Sequence, residues 1–135
     1  MGRAVASVVA RHLPPDWRPK LLAVIGAKAS DENLRLLDKW ALAEGGTASW
    51  NPLNTTYPLP NATNYNSTGV KNYKRPVEGI CATALTLVNG YYNGILGELQ
   101  SGALTAGEIV TKRSAEFKLW GTDPNHILAL LAAKK

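Results

Sequence analysis

The chain has 135 residues, of which 45% are hydrophobic, and it includes 12 glycines and 8 prolines. This composition excludes a disordered tail, a collagen-like fibre and a coiled-coil rod, and the length suits one domain. One cysteine and two histidines leave too few ligands for a cysteine-based zinc site or a histidine cluster, and the formal charge of +5 favours anionic partners.

The N-terminal sequence contains no evident targeting or membrane signal. An apolar run near the start is broken by Ser7 and ends at Arg11, so it is too short to span a membrane. It also lacks the form of a strong signal peptide. We therefore predict a protein that is made in a cytoplasm without a signal peptide and that has no membrane span.

The first third of the chain has a helical pattern. Asp16 is a candidate N-cap for a helix that runs through residues 20–28 with Pro19 in its first turn, and Ser30 or Asp31 is a candidate N-cap for a second helix. The apolar residues of this second helix recur at helical spacing: Leu34, Leu36, Leu37, Trp40, Ala41 and Ala43. The pair Gly45-Gly46 predicts where that helix ends.

Residues 45–75 differ in composition from the rest of the chain. They are rich in Asn, Thr, Ser, Pro and Tyr, have no helical period, and contain prolines that exclude a regular helix: Pro52, Pro58 and Pro60. A loop of this length in a small domain is usually functional or disordered, and its aromatic residues argue against disorder. We predict a long loop with short strands or a hairpin near residues 65–73.

The last part of the chain has helical patterns again. Pro76 suits a first helical position, and an i, i+3, i+4, i+7 stripe follows it. We predict that this stripe, with Cys81 on it, faces the core: Val77, Ile80, Cys81, Ala84, Leu87 and Val88. A short helix is predicted over residues 91–100, a capping box at residues 105–108 begins another, and Asp123-Pro124 begins the last.

Glu44 is a candidate general acid. It is the last residue of the second predicted helix, and residues 45–77 contain no other acidic side chain. Apolar neighbours such as Trp40 and Trp50 would raise the pKa of its carboxyl, as protonation of a glycosidic oxygen requires. The plain alternative is a solvated surface glutamate, which the negative end of a helix slightly disfavours.

Several segments carry a resemblance to a known superfamily. Residues 39–46 (KWALAEGG) and 51–56 (NPLNTT) resemble the catalytic helix and following loop of lysozyme-like muramidases. Residues 65–73 resemble the Asn-rich stretch of the flagellar-type glucosaminidase branch. Residues 74–80 resemble the start of its next helix, and residues 89–92 its tyrosine-bearing turn.

The block over residues 34–100 is similar to a module of tail-associated and lytic proteins of bacteriophages that infect actinobacteria. The resemblance implies one mainly α, lysozyme-like (α+β) domain over residues 1–135, with a family-like core at about 30–100 and C-terminal helices at 105–135. The long loop or hairpin would form one cleft wall. Glu44 matches the general acid and Tyr92 a cleft tyrosine, and polar loop positions match possible saccharide contacts: Asn51, Asn54, Thr55, Thr56, Tyr65 and Asn66.

The sequence departs from this family in two ways. The commonest branch continues Glu-Ser-Gly, whereas this chain has Glu44-Gly45-Gly46. A second carboxylate is not evident, because Glu78 is more simply explained by the dipole of the helix that it begins. A two-carboxylate retaining mechanism then lacks its nucleophile, and attack by the substrate's own acetamido oxygen remains available.

We therefore predict a phage peptidoglycan glycosidase or lytic transglycosylase that acts on glycan strands at the cell wall, without cofactor or metal. The alternative is a non-catalytic structural virion protein, of the head or the tail, that keeps the fold and binds other phage proteins. Nucleic-acid binding is disfavoured, because no recognisable DNA-reading motif groups the basic residues.

Overall fold

The computed structural model describes residues 13–133, so the apolar run before Arg11 and the last two residues lie outside it. The described chain is mainly helical and has a small two-stranded sheet. Its elements are, in order, α1 (Trp17–Val24), α2 (Asp31–Glu44), β1 (Thr63–Asn64), β2 (Lys71–Asn72), α3 (Pro76–Leu87), α4 (Asn93–Ser101), α5 (Ala106–Lys112), α6 (Ser114–Trp120) and α7 (Pro124–Ala132).

Helix α2 begins and ends where the local sequence predicts. The hydroxyl of Ser30 accepts the backbone N–H of Asn33 at 3.1 Å, which satisfies one of the free donors of the first turn. At the other end Gly45 adopts a left-handed conformation with φ of 59°, which favours glycine. Glu44 is therefore the last helical residue, next to a turn that a glycine stabilises.

Helix α1 begins where the sequence predicts and ends earlier than predicted. Asp16 occupies the N-cap position before Trp17, but it has a left-handed φ of 53° and makes no side-chain capping bond. The helix ends early because Gly26 has a φ of 78° and the N–H of Ala27 donates to the carbonyl of Leu22 at 2.8 Å. This is the hydrogen bond of a Schellman-type helix end, and the next residues leave the helix.

The predicted hairpin is present, and it is short. Strands β1 and β2 are antiparallel, with Thr63 opposite Asn72 and Asn64 opposite Lys71. Backbone bonds attach the second strand to the preceding loop: Lys71 N–H donates to Thr55 O at 3.2 Å, and Tyr73 N–H donates to Ser49 O at 2.9 Å. The loop after α2 and the hairpin therefore form one connected layer.

The core prediction for helix α3 is wrong for Cys81, which is exposed. Ile80, Ala84 and Leu87 are buried as expected, whereas Val77 and Val88 are 55% and 48% exposed. The helix packs its other side inward, because Gly79 lies directly against the backbone carbonyl of Trp50 and α1 covers the buried residues. This close approach sets the rotation of α3 and turns the cysteine outward.

Helix α2 lies at the centre of the packing. It contacts α1, α5 and α7, and its buried face includes Asn33 and Trp40. The fully buried side chains come from every helix of the described chain: Leu21, Leu22, Leu36, Leu37, Trp40, Leu87, Ile95, Leu99, Ile109, Phe117 and Ile127. Among residues 13–133 no helix is both long enough and apolar enough to cross a membrane.

Candidate active site

The carboxyl group of Glu44 lies where three segments meet. Its Oε1 accepts a hydrogen bond from Nδ2 of Asn54 in the following loop at 2.9 Å, and its Oε2 accepts one from the hydroxyl of Thr122. Thr122 belongs to the turn between α6 and α7. The end of α2 is thus joined to a residue 78 positions further along the chain.

Thr122 links Glu44 to the core. Its side chain is almost fully buried, and its Oγ1 accepts the indole N–H of Trp40 at 3.0 Å. An indole N–H can only donate a hydrogen bond. The hydroxyl proton of Thr122 therefore remains for Glu44, and the hydrogen bonds run in one direction from Trp40 through Thr122 to the carboxylate.

The environment of Glu44 makes its carboxyl a weaker acid than usual. Burial raises its pKa, while the hydrogen bonds from Thr122 and Asn54 and the nearby indole N–H of Trp40 act in the opposite direction. The residue is half-buried. A proton retained to higher pH is what a general acid needs, and here burial is the cause of the raised pKa, whereas Trp40 lowers it.

Gly46 makes the contact between Asn54 and Glu44 possible. Asn54 has a left-handed φ of 57°, and its amide lies directly against Gly46. A Cβ atom at position 46 would overlap the amide oxygen of Asn54, so this position needs glycine. The second glycine after Glu44 therefore shapes the site in addition to following the helix end.

Trp40, Trp120 and Tyr92 form an aromatic cluster that is connected to the Glu44 carboxyl through Thr122. The ring of Trp120 meets Trp40 edge to face at 5.0 Å and Tyr92 at 4.9 Å, and its indole N–H donates to Leu53 O at 2.7 Å. Tyr92 is 8% exposed, and its contact with the site runs through Trp120 and Trp40. Burial raises the pKa of the Tyr92 hydroxyl, and the charge of Glu116 adds to this effect.

Two of the predicted saccharide contacts are buried and hold the loop in place. Nδ2 of Asn51 donates to the carbonyls of Thr55 and Lys71 at 2.9 and 2.8 Å, and its Oδ1 accepts the N–H of Thr55 at 2.9 Å. The Thr55 hydroxyl is hydrogen-bonded to that of Thr86. These hydrogen bonds hold Asn51 and Thr55 in place, and with them the loop segment that contains Asn54.

The other predicted contacts, Thr56, Tyr65 and Asn66, are exposed. The hydroxyl of Tyr65 lies 2.7 Å from the hydroxyl of Thr47, which ties the hairpin to a residue three positions after Glu44. Oδ1 of Asn66 accepts the N–H groups of Thr68 and Val70 and closes the hairpin turn. Tyr65 is therefore the aromatic residue that the hairpin brings to the Glu44 segment.

Thr122 and Trp120 were not singled out by the sequence analysis. Neither residue lies in the segment that carries the resemblance, and the pattern around Asp123-Pro124 indicated a helix start.

Glu44 lines none of five surface cavities of about 240–580 Å³ formed by the described residues. In the same part of the chain, no three His, Cys, Asp or Glu side chains form a metal-binding group.

Comparisons of the chain with protein-family models, curated proteins and solved structures give no match.

Proposed function

We propose that the chain is a peptidoglycan-cleaving glycosidase or lytic transglycosylase of bacteriophage origin, with Glu44 as its general acid. The observation that supports this proposal is the charge environment of Glu44. Within residues 13–133 no cation lies within ion-pair distance of its carboxyl, and burial is the first cause of its raised pKa. A half-buried, unpaired carboxyl at neutral pH is suited to proton transfer.

In the proposed reaction, the carboxyl proton of Glu44 moves to the glycosidic oxygen as the bond from that oxygen to the anomeric carbon breaks. The acetamido oxygen of the cleaved sugar attacks the anomeric carbon, so no second protein carboxylate is needed. The Glu44 carboxylate, stabilised by Asn54 and Thr122, then takes the proton of a water molecule or of a hydroxyl of the same sugar while that oxygen attacks the anomeric carbon and the bond from this carbon to the acetamido oxygen breaks. Attack by water gives the hydrolase reaction, and attack by the sugar hydroxyl gives the transglycosylase reaction.

The layer formed by the loop after α2 and the hairpin would be the substrate-binding wall. The exposed ring of Tyr65 and the exposed side chains of Thr56 and Asn66 suit the faces and polar groups of N-acetylated sugars. The net charge of +5 suits the anionic bacterial wall, at which the protein would act alone or as part of a virion.

The test is the clearing of purified bacterial cell walls, followed by turbidity. We expect E44Q to clear walls about 10²- to 10⁴-fold more slowly than the wild type, because the amide cannot donate the carboxyl proton. The matched control is E78Q, since Glu78 is paired with Arg75 at 3.2 Å in the first turn of α3. Equal clearing by wild type and E44Q would exclude Glu44 as the acid.

A second candidate function is a structural role in the virion without turnover. The feature that favours it is an exposed apolar face of α3, formed by Val77, Cys81, Leu85 and Val88. Contact with other phage proteins would cover such a face. Inactivity of both the wild type and E44Q, together with stoichiometric copies of the chain in purified particles, is the result that this alternative requires.

A further inference from the structure

We propose that Thr122 is a positioning residue that confines the transferable proton of Glu44 to Oε1, and that the Asn54 amide turns over when this proton leaves or returns. The inference depends on the proposed function only for the use of the proton in catalysis. Its basis is the polarity of the hydrogen bonds around the carboxyl, together with an unpartnered buried oxygen beside it.

The first step concerns Oε2. Trp40 donates to Thr122, so the hydroxyl proton of Thr122 points to Oε2 of Glu44. A proton on Oε2 would face this hydroxyl proton, and the described residues offer Thr122 no other acceptor for it. The buried hydroxyl therefore keeps Oε2 in the role of acceptor, and a neutral Glu44 carries its proton on Oε1.

The second step concerns Asn54. When Glu44 is ionised, Nδ2 of Asn54 donates to Oε1 at 2.9 Å and to the backbone carbonyl of Glu44 at 3.3 Å, while Oδ1 of Asn54 is buried without a hydrogen-bond partner. When Oε1 is protonated, the same arrangement would bring two donors together. A half-turn of the amide brings Oδ1 to the proton and gives up the longer bond from Nδ2 to the Glu44 carbonyl, and the nitrogen then takes the place of the unpartnered oxygen. Each protonation state thus has one orientation of the amide that suits it.

The third step concerns the surroundings. Gly46 presents no side chain to the Asn54 amide, so the exchange of oxygen and nitrogen meets no Cβ atom. Several charged or titratable side chains on the neighbouring elements have contacts of their own. Lys39 pairs with Asp38, Asp123 accepts the N–H of Asn125, Glu116 accepts the N–H groups of Gly94 and Ile95, and Tyr92 packs on Trp120.

The experiment is a pH titration of the Glu44 side-chain carboxyl by carbon NMR in wild type, T122S and T122V. T122S keeps the hydroxyl, and we expect it to titrate like the wild type. T122V removes the donor to Oε2, so we expect its midpoint to shift upward, with an equal upward shift of the alkaline limb of the wall-clearing profile. Equal midpoints for all three proteins would overturn the role of Thr122.

A second measurement needs no substitution. In the wild type, the side-chain amide resonances of Asn54 should shift with the same midpoint as the Glu44 carboxyl, because the amide turns with the proton. Resonances that stay constant through the Glu44 titration would overturn the turning of Asn54. Both titrations can be read from a protein with no muralytic activity, so failure of the proposed function and failure of this inference are distinguishable.

Discussion

Two glutamates of this chain show how position changes the chemistry of one residue type. Glu98 is 8% exposed and lies 2.7 Å from Nη2 of Arg113 and 3.1 Å from Nζ of Lys112, and these partners, Arg113 first, lower its pKa. Glu44 has uncharged hydrogen-bond partners, and burial raises its pKa. Ionisation is therefore favoured by the surroundings of Glu98 and opposed by those of Glu44.

The raised pKa of Glu44 predicts a pH-dependent effect of E44Q on stability. The folded state holds the Glu44 proton to a higher pH than the unfolded chain does, so this stabilisation is present at low pH and is lost as pH rises through the folded pKa. We expect E44Q, which has no proton to lose, to gain stability relative to the wild type between about pH 4 and about pH 7. Urea unfolding at both pH values measures this, and a difference that is constant with pH contradicts it.

Helix α4 shows how a helix start can depend on a distant element. Its N-cap position is Tyr92, which makes no side-chain capping bond. The carboxylate of Glu116, from α6, accepts the N–H groups of Gly94 and Ile95 at 2.9 and 2.8 Å. A carboxylate at this end satisfies two free donors and interacts favourably with the helix dipole, so α6 supplies the cap of α4.

We expect E116A to lower the free energy of unfolding by about 1–2 kcal/mol, which is the usual cost of losing a helix cap. The matched control is D38A, which also removes one negative charge. Asp38 forms long, partly exposed ion pairs with Arg18 at 3.8 Å and Lys39 at 3.6 Å, so its loss should change stability by less than about 0.5 kcal/mol. Equal losses in the two variants, measured by urea unfolding, would rule out capping by Glu116.

At the scale of the whole molecule, one contact between the loop after α2 and the helices depends on a glycine. Gly79 of α3 lies against the backbone carbonyl of Trp50, which itself has a left-handed φ of 57°. A Cβ atom at position 79 would overlap that carbonyl oxygen. Because backbone lies on both sides of the contact, a side chain at position 79 would force the loop and the helix apart.

Two glycines inside helices therefore have opposite expected responses to alanine. G79A should destabilise the protein by about 1–3 kcal/mol through overpacking. Gly97, in α4, has nothing within 4 Å of an added Cβ, so G97A should stabilise it by about 0.5–1 kcal/mol through helix propensity. Thermal and urea unfolding of both variants measure the difference, and a change of the same sign in both contradicts this account of the contact.

The sequence by itself determined the features that depend on residues within a few positions of one another. Ser30, Pro76, Thr105 and Asp123 mark helix starts that the structure confirms, including the capping box of α5. The helix end at Gly45 and the hairpin near residues 65–73 are confirmed for the same reason, because caps and turns are local interactions. Asp16 also precedes the first residue of α1, but it makes no capping bond, and α1 ends at Val24 rather than at residue 28 because of the turn at Gly26.

The tertiary structure alone decided which faces are buried and what surrounds Glu44. The helical period of α3 allowed Cys81 to face inward, and the contact of Gly79 with Trp50 turned it outward. Glu44 could be selected from the sequence by the absence of other acids around it, but Thr122 could not, because 78 residues separate the two. Such contacts form only when the helices pack, and the burial that raises the pKa of Glu44 arises in the same step.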